Sequence, residues 1–151
     1  MTLRLLLVRH GLSSFNKENR IQGRNDLSIL TEEGKYQAIE AGKCLVDLPI
    51  HFVYSSPLQR AVETTKNILQ QRKKEILPVY TDDLLEIDVE PWSGLTKDEL
   101  ESTFPKDYLC WQKDPKTLIL RRKDGSSYKP LSELMLQSEK FIQKLLKLHY
   151  K

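Results

Sequence analysis

The sequence has little cysteine, no long apolar run and almost no excess charge, and each shortage excludes a class of protein. Its 151 residues include two cysteines, Cys44 and Cys110, which lie far apart and show no metal-ligand spacing. This pattern gives no disulfide framework and is typical of reduced thiols in a cytoplasmic protein. No apolar stretch approaches the roughly 18 residues of a membrane span, and Arg4 interrupts the N-terminal run. We therefore expect a cytoplasmic protein with no membrane partner.

The charge balance argues against a nucleic-acid partner. The formal net charge is only +3, because 24 basic residues face 21 acidic ones. Residues 116–129 concentrate basic side chains, which we interpret as a solvated loop that includes Arg121 and Arg122. The length of 151 residues suits one domain, so we predict a single domain over residues 1–151. No cluster of side chains has metal-ligand spacing, and neither a metal nor another cofactor is predicted.

Short apolar runs alternate with amphipathic segments along the chain. Strands are predicted at residues 3–8, 52–54 and 77–80. Helices are predicted over residues 31–46, from Ser56 and Pro57 onwards, from Thr96 onwards and over 131–149. Alternating strands and helices favour an α/β fold with three α/β/α layers, a mainly parallel sheet and helices on both faces.

The tripeptide Arg9-His10-Gly11 directly follows the first predicted strand. The carboxyl ends of strands are where open α/β sheets bind ligands. An imidazole can act as a nucleophile, and a guanidinium group is well shaped to hold a phosphoryl group. For the tripeptide alone, a surface Arg-His pair in a loop is the simpler interpretation. Motifs further along the chain reverse that preference.

Four motifs follow one another in order over residues 3–94. The first is Arg9-His10-Gly11 with Asn16, and the second is Gln22-Gly23 with Asp26, followed by Leu30-Thr31, Gly34 and Gln37-Ala38. The third is Ser55-Ser56-Pro57-Leu58-Gln59-Arg60-Ala61, and the fourth is Glu86 with Trp92-Ser93-Gly94. Together they resemble the signatures of the histidine phosphatase superfamily, the phosphoglycerate mutase-like proteins. Two positions depart from the usual pattern: Ser13 replaces a threonine and Ser93 replaces a glutamate.

The resemblance implies a catalytic site that uses no metal or cofactor and acts on a small phosphorylated metabolite. His10 would be the nucleophile that carries a transient phosphohistidine, and Glu86 would be the proton donor. The implied phosphate-binding residues are Arg9, Arg60, Asn16 and Gly23. Several acids near Glu86 are alternative proton donors: Asp82, Asp83, Asp88 and Glu90.

The family also carries a second histidine, in a Val-x-His-Gly-like turn that ends a strand after the long C-terminal helix. The given sequence stops at Lys151, directly after its last predicted helix, and His149 lies on that helix. We therefore expect a C-terminally incomplete fold in which strand one has an unpaired edge. Such an edge exposes backbone amides and carbonyls and predicts self-association.

Three functions remain open from the sequence. The first is a phosphatase that hydrolyses a small phosphomonoester through a phosphohistidine on His10. The second is a catalytically impaired, truncated remnant that binds phosphate or a protein partner. The third is a phosphoglycerate mutase. The mutase ranks lowest because the chain shows no long substrate-binding loops.

We expect the 151-residue polypeptide to turn over phosphate esters poorly. Absence of one donor to the transferring phosphoryl group costs about 10²–10³ in rate in other enzymes. The measurement compares this polypeptide with a version extended by a homologous strand that ends in Val-x-His-Gly. Equal and efficient turnover by both proteins would contradict the expectation.

Overall fold

A computed structural model describes residues 3–149, which form two compact units. Unit A contains residues 6–17 and 26–85. Unit B contains residues 3–5, 18–25 and 86–149 of the described chain. The single domain over residues 1–151 stays a prediction. No helix within residues 3–149 is long and apolar enough to cross a membrane.

Unit A is built on a βαβ crossover. Strands β1 (Tyr54–Ser55) and β2 (Val79–Tyr80) pair in parallel, with Tyr54 opposite Val79. The helix that follows β1 in the chain makes the connection that a parallel pair requires. The helices of this unit are α1 (Ser14–Lys17), α2 (Glu32–Leu45) and α3 (Gln59–Leu69), and a 3₁₀ turn spans Asp82–Leu84.

Helix α2 begins where its sequence predicts and packs closely on α3. The Thr31 hydroxyl accepts a hydrogen bond from the Gly34 amide over 3.0 Å, which satisfies one of the free amides of the first turn. Further along, a side chain at Gly42 would meet the backbone of Ile68 and the side chain of Gln71. The absence of a Cβ at position 42 therefore sets how closely the two helices approach.

The start of α3 differs from the prediction. The helix begins at Gln59 rather than at Ser56 and Pro57. The Gln59 amide donates to Asp26 Oδ1 over 2.6 Å, so a carboxylate 33 residues away serves the first turn. A negative charge at a helix N-terminus is stabilising because it opposes the helix dipole. The Ser56 hydroxyl instead accepts from the Leu58 amide over 3.4 Å.

Residues 3–8 join no strand of the described chain, so the predicted first strand is wrong as a secondary-structure assignment. Leu7 is 92% exposed, and its neighbours from Leu5 to Val8 are also exposed. An apolar run favours a strand only where a neighbouring strand supplies its hydrogen bonds. The sheets of the described chain accordingly have two strands each, fewer than the mainly parallel sheet that the sequence suggested.

Unit B combines an antiparallel hairpin with helices. Strands β3 (Leu120–Arg121) and β4 (Ser127–Tyr128) pair antiparallel. The helices are α4 (Lys97–Thr103), α5 (Pro105–Lys113) and α6 (Pro130–His149), and a 3₁₀ turn spans Glu90–Trp92. The predicted capping box of α4 is confirmed. Thr96 Oγ1 accepts from the Glu99 amide over 3.2 Å, and Glu99 Oε2 accepts from the Thr96 amide over 2.7 Å.

Trp92 is at the centre of the core of unit B. Its ring is 1% exposed and meets the ring of Trp111 edge-on, with the centroids 5.9 Å apart. The buried members of this core are Val89, Trp92, Leu100, Leu118, Leu120 and Tyr128. Burial of Val89 and Trp92 anchors the segment that directly follows Glu86.

Candidate active site

The imidazole of His10 is held by its own backbone turn. His10 Nδ1 lies 2.7 Å from the carbonyl oxygen of Gly11. A carbonyl oxygen only accepts, so Nδ1 must carry the proton in this hydrogen bond. In the neutral ring the remaining lone pair is then on Nε2. The turn thus selects the tautomer whose Nε2 can act as a nucleophile.

Two glycines bring the His10 turn against the start of α2. A Cβ added to Gly11 would collide with the backbone of Gly34, and a Cβ added to Gly34 would collide with the backbone of Leu12. The Leu12 carbonyl accepts hydrogen bonds from the amide of Thr31 over 2.9 Å and from its hydroxyl over 3.0 Å. Both glycines are therefore required by direct backbone contact.

Thr64 links the same turn to α3. The Gly11 amide donates to Thr64 Oγ1 over 3.1 Å, and the Thr64 hydroxyl donates to the Arg60 carbonyl over 2.7 Å. Thr64 lies one helical turn after Arg60 and is 5% exposed. Unit A thus brings the His10 turn and the helix that carries Arg60 together.

The two predicted phosphate-binding arginines of unit A have different surroundings. Arg60 is 1% exposed, whereas Arg9 is an exposed residue of the turn. A guanidinium group held away from water needs compensating acceptors or an anion. Arg60 is therefore the more rigidly placed of the two charges, and Arg9 has room to adjust to a ligand.

Asn16 lies on α1, close after the His10 turn. The side-chain oxygen Oδ1 of Asn16 accepts from the Ser13 hydroxyl over 3.0 Å, and the backbone amide of Asn16 donates to the same hydroxyl over 3.3 Å. Ser13 is fully buried and forms an antiparallel bridge with Leu30. The Ser13 hydroxyl, at the position where the family usually has threonine, thereby orients Asn16.

Gly23 and Glu86 belong to unit B, which brings their segments together. Gly23 has φ +52°, and a Cβ there would press against Val89 and the Ile87 carbonyl. Arg24 Nε donates to the Glu86 carbonyl over 2.9 Å. The close approach at Gly23 therefore lets the next residue reach the backbone of the predicted proton donor.

The acids around Glu86 are separated by their surroundings. Asp88 lies 3.7 Å from Arg122, and Glu90 lies 2.9 Å from Lys123. Asp82 and Asp83 form part of the 3₁₀ turn of unit A. Glu86 is exposed, and its Oε1 accepts from the Ile87 amide over 3.1 Å. Asp88 and Glu90 each lie close to a basic side chain and are therefore less available as proton donors than Glu86.

Arg122 is not the freely solvated side chain that the sequence suggested. Its guanidinium carbon lies 3.9 Å from the centre of the Tyr128 ring, and its Nη2 donates to Glu133 over 2.7 Å. The Tyr128 hydroxyl donates to the Asp88 carbonyl over 3.2 Å. The β3–β4 hairpin thus holds the segment after Glu86 by two contacts to Asp88, the ion pair with Arg122 and the hydrogen bond from Tyr128, while the stacking of Arg122 on Tyr128 lies within the hairpin itself. Arg121 is exposed, as expected.

Sequence reasoning missed Thr64, Asp26 as a helix cap, and Tyr128. The first two lie in or beside quoted motifs: Asp26 ends the Gln22-Gly23 segment, and Thr64 comes four residues after Arg60. That spacing places Thr64 on the same face of α3 as Arg60 and was a usable signal. Within residues 3–149, no group of three or more His, Cys, Asp or Glu side chains is arranged to hold a metal ion.

Comparison with known proteins decides the family. The family model of the histidine phosphatase superfamily (branch 1) matches residues 5–151. The chain belongs to this superfamily. A probable 2-carboxy-D-arabinitol-1-phosphatase of Arabidopsis thaliana is 39% identical over 133 residues, which are 88% of this chain and 26% of that protein. A 2,3-bisphosphoglycerate-dependent phosphoglycerate mutase of Bartonella henselae is 42% identical over 113 residues, which are 72% of this chain and 54% of that protein.

Comparison with solved structures bears on the fold. Bacillus stearothermophilus YhfR superimposes with a TM-score of 0.80 and 28% identity, over 93% of this chain and 66% of that one. The predicted α/β, phosphoglycerate mutase-like fold class is thereby confirmed. The chain spans between a quarter and about half of the length of the two curated relatives above.

The free energy of unfolding in alkaline solution should depend on the buried phenol of Tyr128 in the β3–β4 hairpin. Burial, together with the charge of Asp88, raises the pKa of Tyr128 from 10.0 to about 12. The folded state therefore holds the phenol proton of Tyr128 more tightly than the unfolded state does. The contribution of Tyr128 to the free energy of unfolding is complete below pH 10 and is lost as the pH rises towards 12. We expect the stability advantage of the wild type over Tyr128→Phe to fall across this window by about 2–3 kcal/mol.

Urea unfolding at a series of alkaline pH values measures this difference directly. Tyr36→Phe is the matched control, because Tyr36 is exposed on α2 and should give a profile parallel to that of the wild type. A constant difference between the wild type and Tyr128→Phe across the window would show that the buried phenol does not control this stability.

Proposed function

We propose that this chain carries the phosphoryl-transfer site of a phosphatase that hydrolyses a small phosphomonoester through a phosphohistidine on His10. The observation that carries the proposal is the hydrogen bond from His10 Nδ1 to the Gly11 carbonyl, 2.7 Å long. It leaves the lone pair of the neutral ring on Nε2, the atom that would attack phosphorus. Family membership supplies the reaction class.

The proposed reaction has two displacements at phosphorus. In the first, His10 Nε2 bonds to phosphorus while the bond to the ester oxygen breaks, and Glu86 gives that oxygen a proton. In the second, the Glu86 carboxylate takes a proton from water as the water oxygen attacks the phosphohistidine. The nitrogen–phosphorus bond breaks, and His10 and inorganic phosphate are released. Glu86 therefore acts first as acid and then as base.

The other predicted residues would hold the phosphoryl group. Positioning and charge neutralisation account for most of the catalysis in phosphoryl transfer. Arg60 would supply a fixed charge because it is buried, and the exposed Arg9 would close on the ligand. Asn16 would contact the phosphate from α1, and Gly23 would contact the phosphate or its ester. The substrate class is a small phosphorylated metabolite.

A phosphoglycerate mutase is the second candidate, supported by the 42% identity to the Bartonella henselae mutase. Both reactions share the phosphohistidine step and differ in the final acceptor, which is water for the phosphatase. Release of inorganic phosphate in proportion to substrate consumed supports hydrolysis. Conversion of substrate without phosphate release supports the mutase.

The phosphohistidine step is tested by labelling His10. Incubation with a radiolabelled small phosphomonoester should give a protein-bound phosphate that is stable in base and labile in acid. His10→Ala should remove the label because it removes the attacking nitrogen. His51→Ala is the matched control, since His51 is an exposed histidine of the same unit and should leave labelling intact. A label that persists in His10→Ala would place the nucleophile elsewhere.

The role of Glu86 is tested by varying the leaving group. An alkoxide leaves poorly without a proton, whereas a nitrophenolate leaves well without one. Glu86→Gln should therefore slow the first displacement, measured as the rate of leaving-group release in a single turnover, by about 10²–10⁴ for alkyl phosphates and far less for p-nitrophenyl phosphate. Asp88→Asn serves as the comparison, because Asp88 faces Arg122. Equal slowing of the first displacement with both substrates in Glu86→Gln, or selective slowing of alkyl phosphates in Asp88→Asn, would contradict the assignment.

A further inference from the structure

Gly11 is the residue of the His10 turn whose backbone dihedrals are least restricted by its own side chain. A glycine is required there by the backbone of Gly34. Glycine restricts its backbone dihedrals less than any other residue, so the peptide groups on either side of it need restraint from outside. The orientation of the His10 ring depends on one of these groups, since His10 Nδ1 donates to the Gly11 carbonyl.

Each of the two peptide groups is held by one side chain. The group between His10 and Gly11 presents its amide to Thr64 Oγ1 over 3.1 Å. The group between Gly11 and Leu12 presents its amide to Gln37 Oε1 over 2.9 Å. The second group also contains the Gly11 carbonyl. Gln37 on α2 and Thr64 on α3 therefore fix the two planes that determine where the His10 acceptor points.

Thr64 is itself fixed in direction. Its hydroxyl donates to the Arg60 carbonyl over 2.7 Å, so a lone pair of the same oxygen faces the Gly11 amide. Thr64 is 5% exposed, and loss of its hydroxyl would leave the Gly11 amide without its acceptor.

We propose that Thr64 and Gln37 are positioning residues that hold the peptide groups on both sides of Gly11 and thereby fix the tautomer and direction of the His10 ring. This inference rests on the proposed function, because it assigns these side chains a purpose in presenting Nε2 for attack. Neither side chain needs to touch the phosphoryl group.

The experiment measures the His10 tautomer by nitrogen NMR of the imidazole in the full chain, without any phosphoryl donor. The wild type should show the form protonated at Nδ1. Thr64→Val keeps the shape of the side chain but loses the hydroxyl, and should shift His10 towards a mixture of tautomers. Thr64→Ser restores the hydroxyl and should restore the wild-type spectrum. Thr65→Val is the control, because the Thr65 hydroxyl donates to Ser55 and not to the turn.

Gln37 provides an independent second variant at an exposed position. Gln37→Ala removes the acceptor for the Leu12 amide and should shift the tautomer in the same direction as Thr64→Val. Gln37→Glu loses the long hydrogen bond from Gln37 Nε2 to Glu33 but keeps an acceptor oxygen for the Leu12 amide, and should keep the wild-type tautomer. If Thr64→Val does not fold, the Gln37 pair alone decides the inference.

The rate of His10 labelling separates this inference from the proposed function. Thr64→Val and Gln37→Ala should label about 10- to 100-fold more slowly, and the two conservative variants should label normally. An unlabelled wild type would contradict the proposed function while leaving the tautomer test valid. An unchanged tautomer in both Thr64→Val and Gln37→Ala would overturn the inference, whatever the labelling shows.

Discussion

The direct backbone contact between Gly11 and Gly34 is the constraint on which the site of unit A depends. Because neither residue has a Cβ, the turn that carries His10 can lie against the first turn of α2. That approach places the Leu12 amide within reach of Gln37 and the Leu12 carbonyl within reach of Thr31. A larger residue at either glycine would separate these partners, and the hydrogen bond that orients the imidazole would lose its support.

In unit B the predicted proton donor, Glu86, is an exposed residue outside any helix or strand. The loop is held at two carbonyls on either side of Ile87. Arg24 donates to the carbonyl of Glu86, and Tyr128 donates to that of Asp88. Bonds to the backbone fix the course of the chain while leaving the Glu86 carboxylate outside an ion pair with the described basic residues. A fixed backbone with an accessible carboxylate is compatible with the proton exchange proposed for Glu86.

The charges of the candidate site are divided between fixed and adaptable groups. Arg60 is fully buried within α3, and the carbonyl of the same residue is tied through Thr64 to the His10 turn. Arg9 is an exposed residue of the turn. Preorganised charge is effective because it requires no rearrangement during the reaction. Exposed charge is suited to the first capture of a ligand.

The sequence by itself determined the features whose partners lie within one helical turn, and the family through its four motifs. The Thr31 cap and the Thr96 capping box follow from spacings of three residues, because the hydrogen bonds that define them are equally local. Only the tertiary structure decided where α3 begins, whether residues 3–8 form a strand and what Arg122 contacts. The first turn of α3 is served by Asp26, and Arg122 pairs with Asp88; both partners lie more than 30 residues away along the chain. Residues 3–8 form no strand because no neighbouring strand of the described chain pairs with them. Local patterns record what a segment can form, and remote hydrogen-bond and charge partners decide what it does form.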